Sequence, residues 1–206
     1  MVLFRGNSVL GTSLGLALVL AISASIPLSS VSISNHVMAT LIWVIIFYSS
    51  VAVHLKSFEI DEDSGLSDII KLNCTPSFIF LSKTTINTIL MIIVGVLSYS
   101  LLSLWMGVDL ALYPKMLLVV TLGCIGLSLS QAFAGYLLSK STNAQMIAPL
   151  IFLPVILPVL ISLIILTINI LELETISINL LIVVICQSMA ILLVGFLLLP
   201  IIEDTL

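Results

Sequence analysis

The sequence predicts an all-α, polytopic membrane protein with six transmembrane helices, N-in and C-in, and three observations carry that prediction. Hydrophobic residues make up 61% of the chain and charged residues 8%, with a mean hydropathy of +1.37, where a soluble domain has roughly a quarter of its residues charged. Apolar runs long enough to cross a bilayer follow one another with little between them, and about 20 apolar residues span the hydrocarbon core. In lipid the backbone must satisfy its own hydrogen bonds, so such runs form helices rather than open sheets. The cations, finally, are distributed unevenly between alternate connections.

The runs fall at residues 9–28, 37–53, 78–105, 115–138, 146–168 and 176–202. Span one has an apolar stretch longer than the 7–15 residues of a signal-peptide core and one preceding cation, Arg5, so it reads as a retained helix despite the small residues around Ala21 and Ala24. Gly11 and Gly15 give it a GxxxG spacing, a pattern that lets helix backbones approach closely. Span two is bracketed by His36 and His54, which as parts of one helix lie roughly 27 Å apart and cannot share a metal or a haem. Either alone can ligate haem iron axially, against the plainer reading of an interfacial polar residue.

Residues 54–77 form the one long polar connection. It holds half of the ten acids, Glu59, Asp61, Glu62, Asp63 and Asp68. Asp63-Ser64-Gly65 is a turn signal. Beyond it Leu66, Ile69 and Ile70 recur at helical spacing, which predicts a short amphipathic helix on the inner membrane face, closed by Pro76 before span three. Two readings stand side by side: a solvated loop, and a docking surface for a cytoplasmic partner.

Span three carries Lys83 near its inner end, where it can snorkel to the interface. Span four has a ladder of small residues, Gly126, Ser130 and Ala134, at four-residue spacing. Span five carries Pro149, Pro154 and Pro158, each of which removes a helical hydrogen bond, predicting a bent or broken helix. Gln131 in span four and Gln187 in span six are neutral polar residues of the kind that bond neighbouring helices. No soluble domain fits between the spans, so residues 1–206 form one membrane domain.

Orientation follows the placement of Lys and Arg. With the N-terminus inside, the inner side receives Arg5, Lys56, Lys71, Lys83 and Lys140, and the outer side only Lys115. The outer connections are short: one is uncharged, one holds Asp109, and residues 171–175 hold Glu172 and Glu174. The net charge of −4 gives no sign of nucleic-acid binding. The three cysteines, Cys74, Cys124 and Cys186, are scattered and odd in number, which argues against a disulfide framework.

The chain has no Walker A, HExxH, GxSxG or dinucleotide motif, so neither an ATPase nor another enzyme is expected in it. No acid clearly lies within a span, where a proton- or ion-coupled carrier is expected to show one. A permease that draws its energy from a separate ATPase requires neither.

Particular residues then resemble a known family. They are Leu41-Ile42-Trp43-Val44 running to Phe58-Glu59, Glu62-Asp63-Ser64-Gly65-Leu66, Pro76-Ser77-Phe78 through Ser82-Lys83, Trp105-Met106-Gly107-Val108-Asp109-Leu110, and the proline-rich run of residues 148–159. In this order they resemble the haem exporter protein B family, CcmB, the permease subunit of an ABC-2-type transporter in cytochrome c maturation. The resemblance covers about residues 38–162 and a final apolar span.

It implies an ABC-2-type permease architecture in the bacterial inner membrane, with no cofactor of its own and haem as a candidate substrate. ATP is hydrolysed on a CcmA-like ABC ATPase subunit. CcmC-like and CcmD-like membrane proteins, a CcmE-like haem chaperone and a second copy of the chain are the other implied partners. It also assigns the ATPase-coupling segment to the acidic connection, with Glu59, Asp61, Glu62, Asp63 and Gly65. Two departures stand out: relatives carry a longer, more basic segment before span one, and Ser64 here separates Asp63 from Gly65, where relatives have acid-Gly before a leucine. The alternatives are an ABC-2 permease for a glycan, lipid or drug, and a non-transporting membrane scaffold.

Overall fold

The computed structural model describes residues 34–63, 75–106, 110–138, 144–173 and 175–204, with Gly11, Gly15, Leu16, Leu18–20, Ile22 and Ser23 of the first span, which are helical. Five helices follow in order: α1 Asn35–Asp63, α2 Pro76–Met106, α3 Tyr113–Leu138, α4 Ala144–Leu173 and α5 Ile178–Asp204. A single 3-10 turn, Leu110–Leu112, leads into α3. No strand occurs among the described residues. Four helical stretches are long and apolar enough to cross a membrane: Phe80–Leu104, Tyr113–Gly135, Pro154–Glu172 and Ile178–Leu197. The apolar stretch described in α1, Asn35–Val51, is shorter.

The helix starts follow local chemistry. Ser34 caps α1: its carbonyl accepts from the Met38 amide at 3.1 Å and its Oγ from the Val37 amide at 3.5 Å. Pro76 stands at the first position of α2, where its missing N–H has no intrahelical partner to lose. Pro114 sits within the first turn of α3 for the same reason. The sequence reading used Pro76 to close a short helix before span three. That helix, at residues 66–72, lies outside the described residues, and what Pro76 does is open α2.

One further expectation changes. The apolar stretch of span two ends at Val51, close to where the sequence places it, but the helix does not: α1 continues to Asp63 and takes Glu59, Asp61, Glu62 and Asp63 into it. Residues 54–63 contain neither Gly nor Pro, and extending a helix that already exists avoids the cost of nucleation. In span five, expected to be bent or broken, the helix is continuous across Pro149, Pro154 and Pro158. Pro154 and Pro158 lie on its exposed side, in one row with Leu157, Ile161 and Ile165.

Helix α3 is the centre of the bundle and packs against α1, α2, α4 and α5. Of its span 67% is buried, against 11% for α5. Its sequence explains this. Gly123, Gly126, Ser128, Ser130, Ala132 and Ala134 leave little side chain in the way, and all are buried, so neighbours can approach on several sides. Gly95 of α2 lies against Cys124, Gly126 against Ser188 and Val159, and Gly195 of α5 against Phe80 and Phe133. These pairs make α3 antiparallel to α2 and α4, and parallel to α5. Gly11 and Gly15 have nothing described within 4 Å of an added Cβ, so their GxxxG spacing marks no contact among the described residues.

Hydroxyl groups are accommodated in this apolar interior by bonding back to their own helix. Ser49 donates to Ile45 O at 2.8 Å, Thr84 to Phe80 O at 2.7 Å, Ser98 to Val94 O at 2.7 Å, Ser130 to Gly126 O at 2.7 Å and Ser188 to Val184 O at 2.8 Å. Each removes the cost of an unpaired hydroxyl in an apolar medium.

Candidate functional site

Three places in the bundle carry polar groups. The first is the end where α1 begins and α4 finishes. His36 Nε2 lies 3.4 Å from Glu172 Oε1, and both side chains are well exposed. Glu172, assigned from the sequence to a connection, belongs to the last turns of α4, and Glu174 lies outside the described residues. His36 thus has a carboxylate beside one ring nitrogen. No group of three or more His, Cys, Asp or Glu that could hold a metal exists among the described residues. His54 is carried by the same unbroken α1, which keeps the two histidines roughly 27 Å apart.

The opposite end holds the acidic segment. Glu59, Asp61, Glu62 and Asp63 occupy the final turns of α1. Spacings of three and four place Glu59, Glu62 and Asp63 in one row of the helix, with Asp61 off it. No basic residue lies in the last turn. Anions at a helix C-terminus oppose the macrodipole, at about 0.3–1 kcal/mol each, so this terminus favours a cationic neighbour. Gly65 and Cys74 lie outside the described residues, and of Lys83 only the helical backbone is described.

The interior is the third place. Trp43 of α1 donates from Nε1 to Thr167 Oγ1 of α4 at 2.8 Å, both side chains being buried. The indole covers Gly123, where a Cβ would fall 2.1 Å from ring carbon Cη2 and 2.6 Å from Cζ3. Gln131 of α3 donates from Nε2 to Ser50 Oγ of α1, as expected of a glutamine between helices. Thr88 of α2 donates to Ser128 Oγ of α3 at 3.0 Å. Cys124 is buried and free, and Cys186 is exposed and free.

Sequence reasoning gave no contact to Trp43, Gly123 or Thr167. Gly123 had a signal, since it lies three residues before Gly126, one helical turn from the ladder of Gly126, Ser130 and Ala134. Trp43 and Thr167 are 124 residues apart and nothing local links them.

The model of the CcmB protein family matches residues 3–202. The chain belongs to that family. No curated protein matches the chain, and no solved structure does. Membership makes it a multi-pass membrane protein of the transport class in haem and c-type cytochrome biogenesis, from a family of permease subunits rather than catalysts. The apolar helices of the bundle agree with that.

Proposed function

We propose that this CcmB-family chain is the membrane permease subunit of an ABC transporter complex that delivers or exports haem for c-type cytochrome maturation. The family match over residues 3–202 carries the reading. In it the chain crosses the bacterial inner membrane six times, N-in and C-in, as the cation distribution suggests. ATP is hydrolysed by a separate CcmA-like subunit, and CcmC-like and CcmD-like proteins and a CcmE-like chaperone handle haem beside it.

The acidic C-terminal turns of α1 are the coupling surface of this proposal. They lie on the inner side in the assumed topology, and their charge at a helix C-terminus favours basic groups on a partner. Pro154 and Pro158 are proposed as the place where α4 bends as the complex works. Both lie on its exposed side, and each withholds one backbone hydrogen bond from the helix. His36, at the outer end, remains the residue of this chain proposed to meet haem iron, with Glu172 steadying the ring. His54 is the weaker second candidate.

The deciding experiment is co-purification of the tagged chain in mild detergent. An ABC ATPase and a haem-handling membrane protein in the eluate are expected. An ATPase without haem proteins points to an ABC-2 permease for another substrate, and haem proteins without an ATPase point to a scaffold.

A further inference from the structure

A group of polar side chains lies in the interior nearer the acidic end of α1. Below the contact of Gly95 with Cys124 lie Ser49 and Ser50 on α1, Thr84, Asn87 and Thr88 on α2, and Ser128 and Gln131 on α3. The other half, around Trp43, holds Met116, Val119, Val120 and Leu163 with Ser98, Tyr99 and Thr167 among them, all buried.

Two buried amides in the polar half are incompletely bonded. Asn87 is 1% exposed and Gln131 0%. Asn87 Nδ2 and Gln131 Oε1 have no hydrogen-bond partner among the described residues, although Gln131 Nε2 donates to Ser50 Oγ. In a helix bundle surrounded by lipid, an unpaired amide hydrogen or carbonyl costs several kcal/mol.

The helix register brings these two residues to one level. Counting from the Gly95–Cys124 contact, Asn87 is about 12 Å along α2 and Gln131 about 10 Å along the antiparallel α3, at 1.5 Å per residue. The Thr88–Ser128 hydrogen bond, between those points, confirms that the seam stays in register.

We propose that the seam between α1, α2 and α3 is a water-binding site, in which ordered water accepts from Asn87 Nδ2 and donates to Gln131 Oε1. The chemistry selects this guest. A metal cation needs acceptors and is repelled by the amide hydrogens, and an apolar group satisfies neither atom. Water offers one acceptor and one donor to the pair and keeps a further hydrogen for a third bond, the usual number for buried water. The hydroxyls of Ser50, Thr84, Thr88 and Ser128 lie along the same stretch. The half of the bundle next to the acidic segment is therefore hydrated inside at this seam.

Radiolytic hydroxyl-radical labelling of the whole protein in lipid nanodiscs tests this, because radicals formed from bound water oxidise the side chains beside it. Met91 lies one turn from Asn87 on the same face of α2 and is 0% exposed. Met91 is expected to oxidise several-fold faster in the wild-type protein than in the folded double variant Asn87→Leu/Gln131→Leu, while the equally buried Met116, on the far side of the Gly95–Cys124 contact, keeps its rate. Equal Met91 rates in the two proteins overturn the proposal. If the double variant does not fold, the same comparison is made with Asn87→Leu alone, and an unchanged Met91 rate there overturns it.

Discussion

Trp43 Nε1 donates to Thr167 Oγ1 at 2.8 Å, joining α1 to α4 through the middle of the bundle. The Thr167 hydroxyl in turn donates to Leu163 O at 2.8 Å, so its oxygen is held with a lone pair towards the indole. Thr167→Val keeps the shape and removes the acceptor. Stability in a denaturing-detergent titration is expected to fall by about 0.6–2 kcal/mol, and Thr167→Ser is expected to recover most of it. A valine variant as stable as wild type would mean that the indole N–H finds another partner.

The same indole rests on Gly123. Gly123→Ala places a methyl group 2.1 Å from the ring carbon Cη2, and a buried indole bonded to Thr167 cannot step aside cheaply. Folded protein recovered from membranes is expected to drop sharply. Gly11→Ala, with nothing described within 4 Å, is expected to leave the yield unchanged. Trp43→Leu combined with Gly123→Ala is expected to restore part of the loss, and failure of this rescue argues against the indole as the obstacle.

Topology is checked by labelling single introduced cysteines in sealed cells. A membrane-impermeant reagent is expected to reach Ser34→Cys from outside and to leave Ser64→Cys unmodified until the cells are opened. Labelling of position 64 from outside reverses the assumed orientation.

The acidic turns of α1 predict a graded response. One exposed ion pair contributes about 0–1 kcal/mol, so Glu59→Gln alone is expected to change little. Neutralising Glu59, Asp61, Glu62 and Asp63 together is expected to reduce recovery of the ATPase in a pull-down at matched membrane levels. Gly65→Val is expected to uncouple the subunits if the turn after α1 requires a backbone conformation that a β-branched residue resists. Full ATPase recovery with the four-acid variant would leave the segment as an ordinary helix end.

Pro154→Ala restores a backbone hydrogen bond on the exposed side of α4. If bending there is used in the working cycle, c-type cytochrome maturation is expected to fall while the amount of chain in the membrane holds. Parallel losses of both would make the proline a static feature.

Much of the fold was legible because each span is written locally. Length and hydropathy marked the five described helices, and Pro76, Pro114 and Ser34 fall where local rules put helix starts. The end of α1 was misjudged because polarity was taken as a sign of a connection. Helix formation does not require apolar residues, and residues 54–63 contain no helix breaker. The prolines of α4 left a bend and a break both open from the sequence, and the helix is continuous across them because the remaining turns hold it.

By itself the sequence determined that this chain lives in a bilayer, that it is helical, that it lacks a nucleotide motif and that it resembles the CcmB family, since composition, periodicity and motif are properties of neighbouring residues. Only the tertiary structure decided that α3 is the buried centre, that Trp43 meets both Gly123 and Thr167, that His36 stands beside Glu172, and that Asn87 and Gln131 share one level of the interior. Those pairings depend on which helix faces meet and in what register. In lipid, where apolar surface gains little by choosing a particular neighbour, close packing at small residues and the few interhelical hydrogen bonds make that choice.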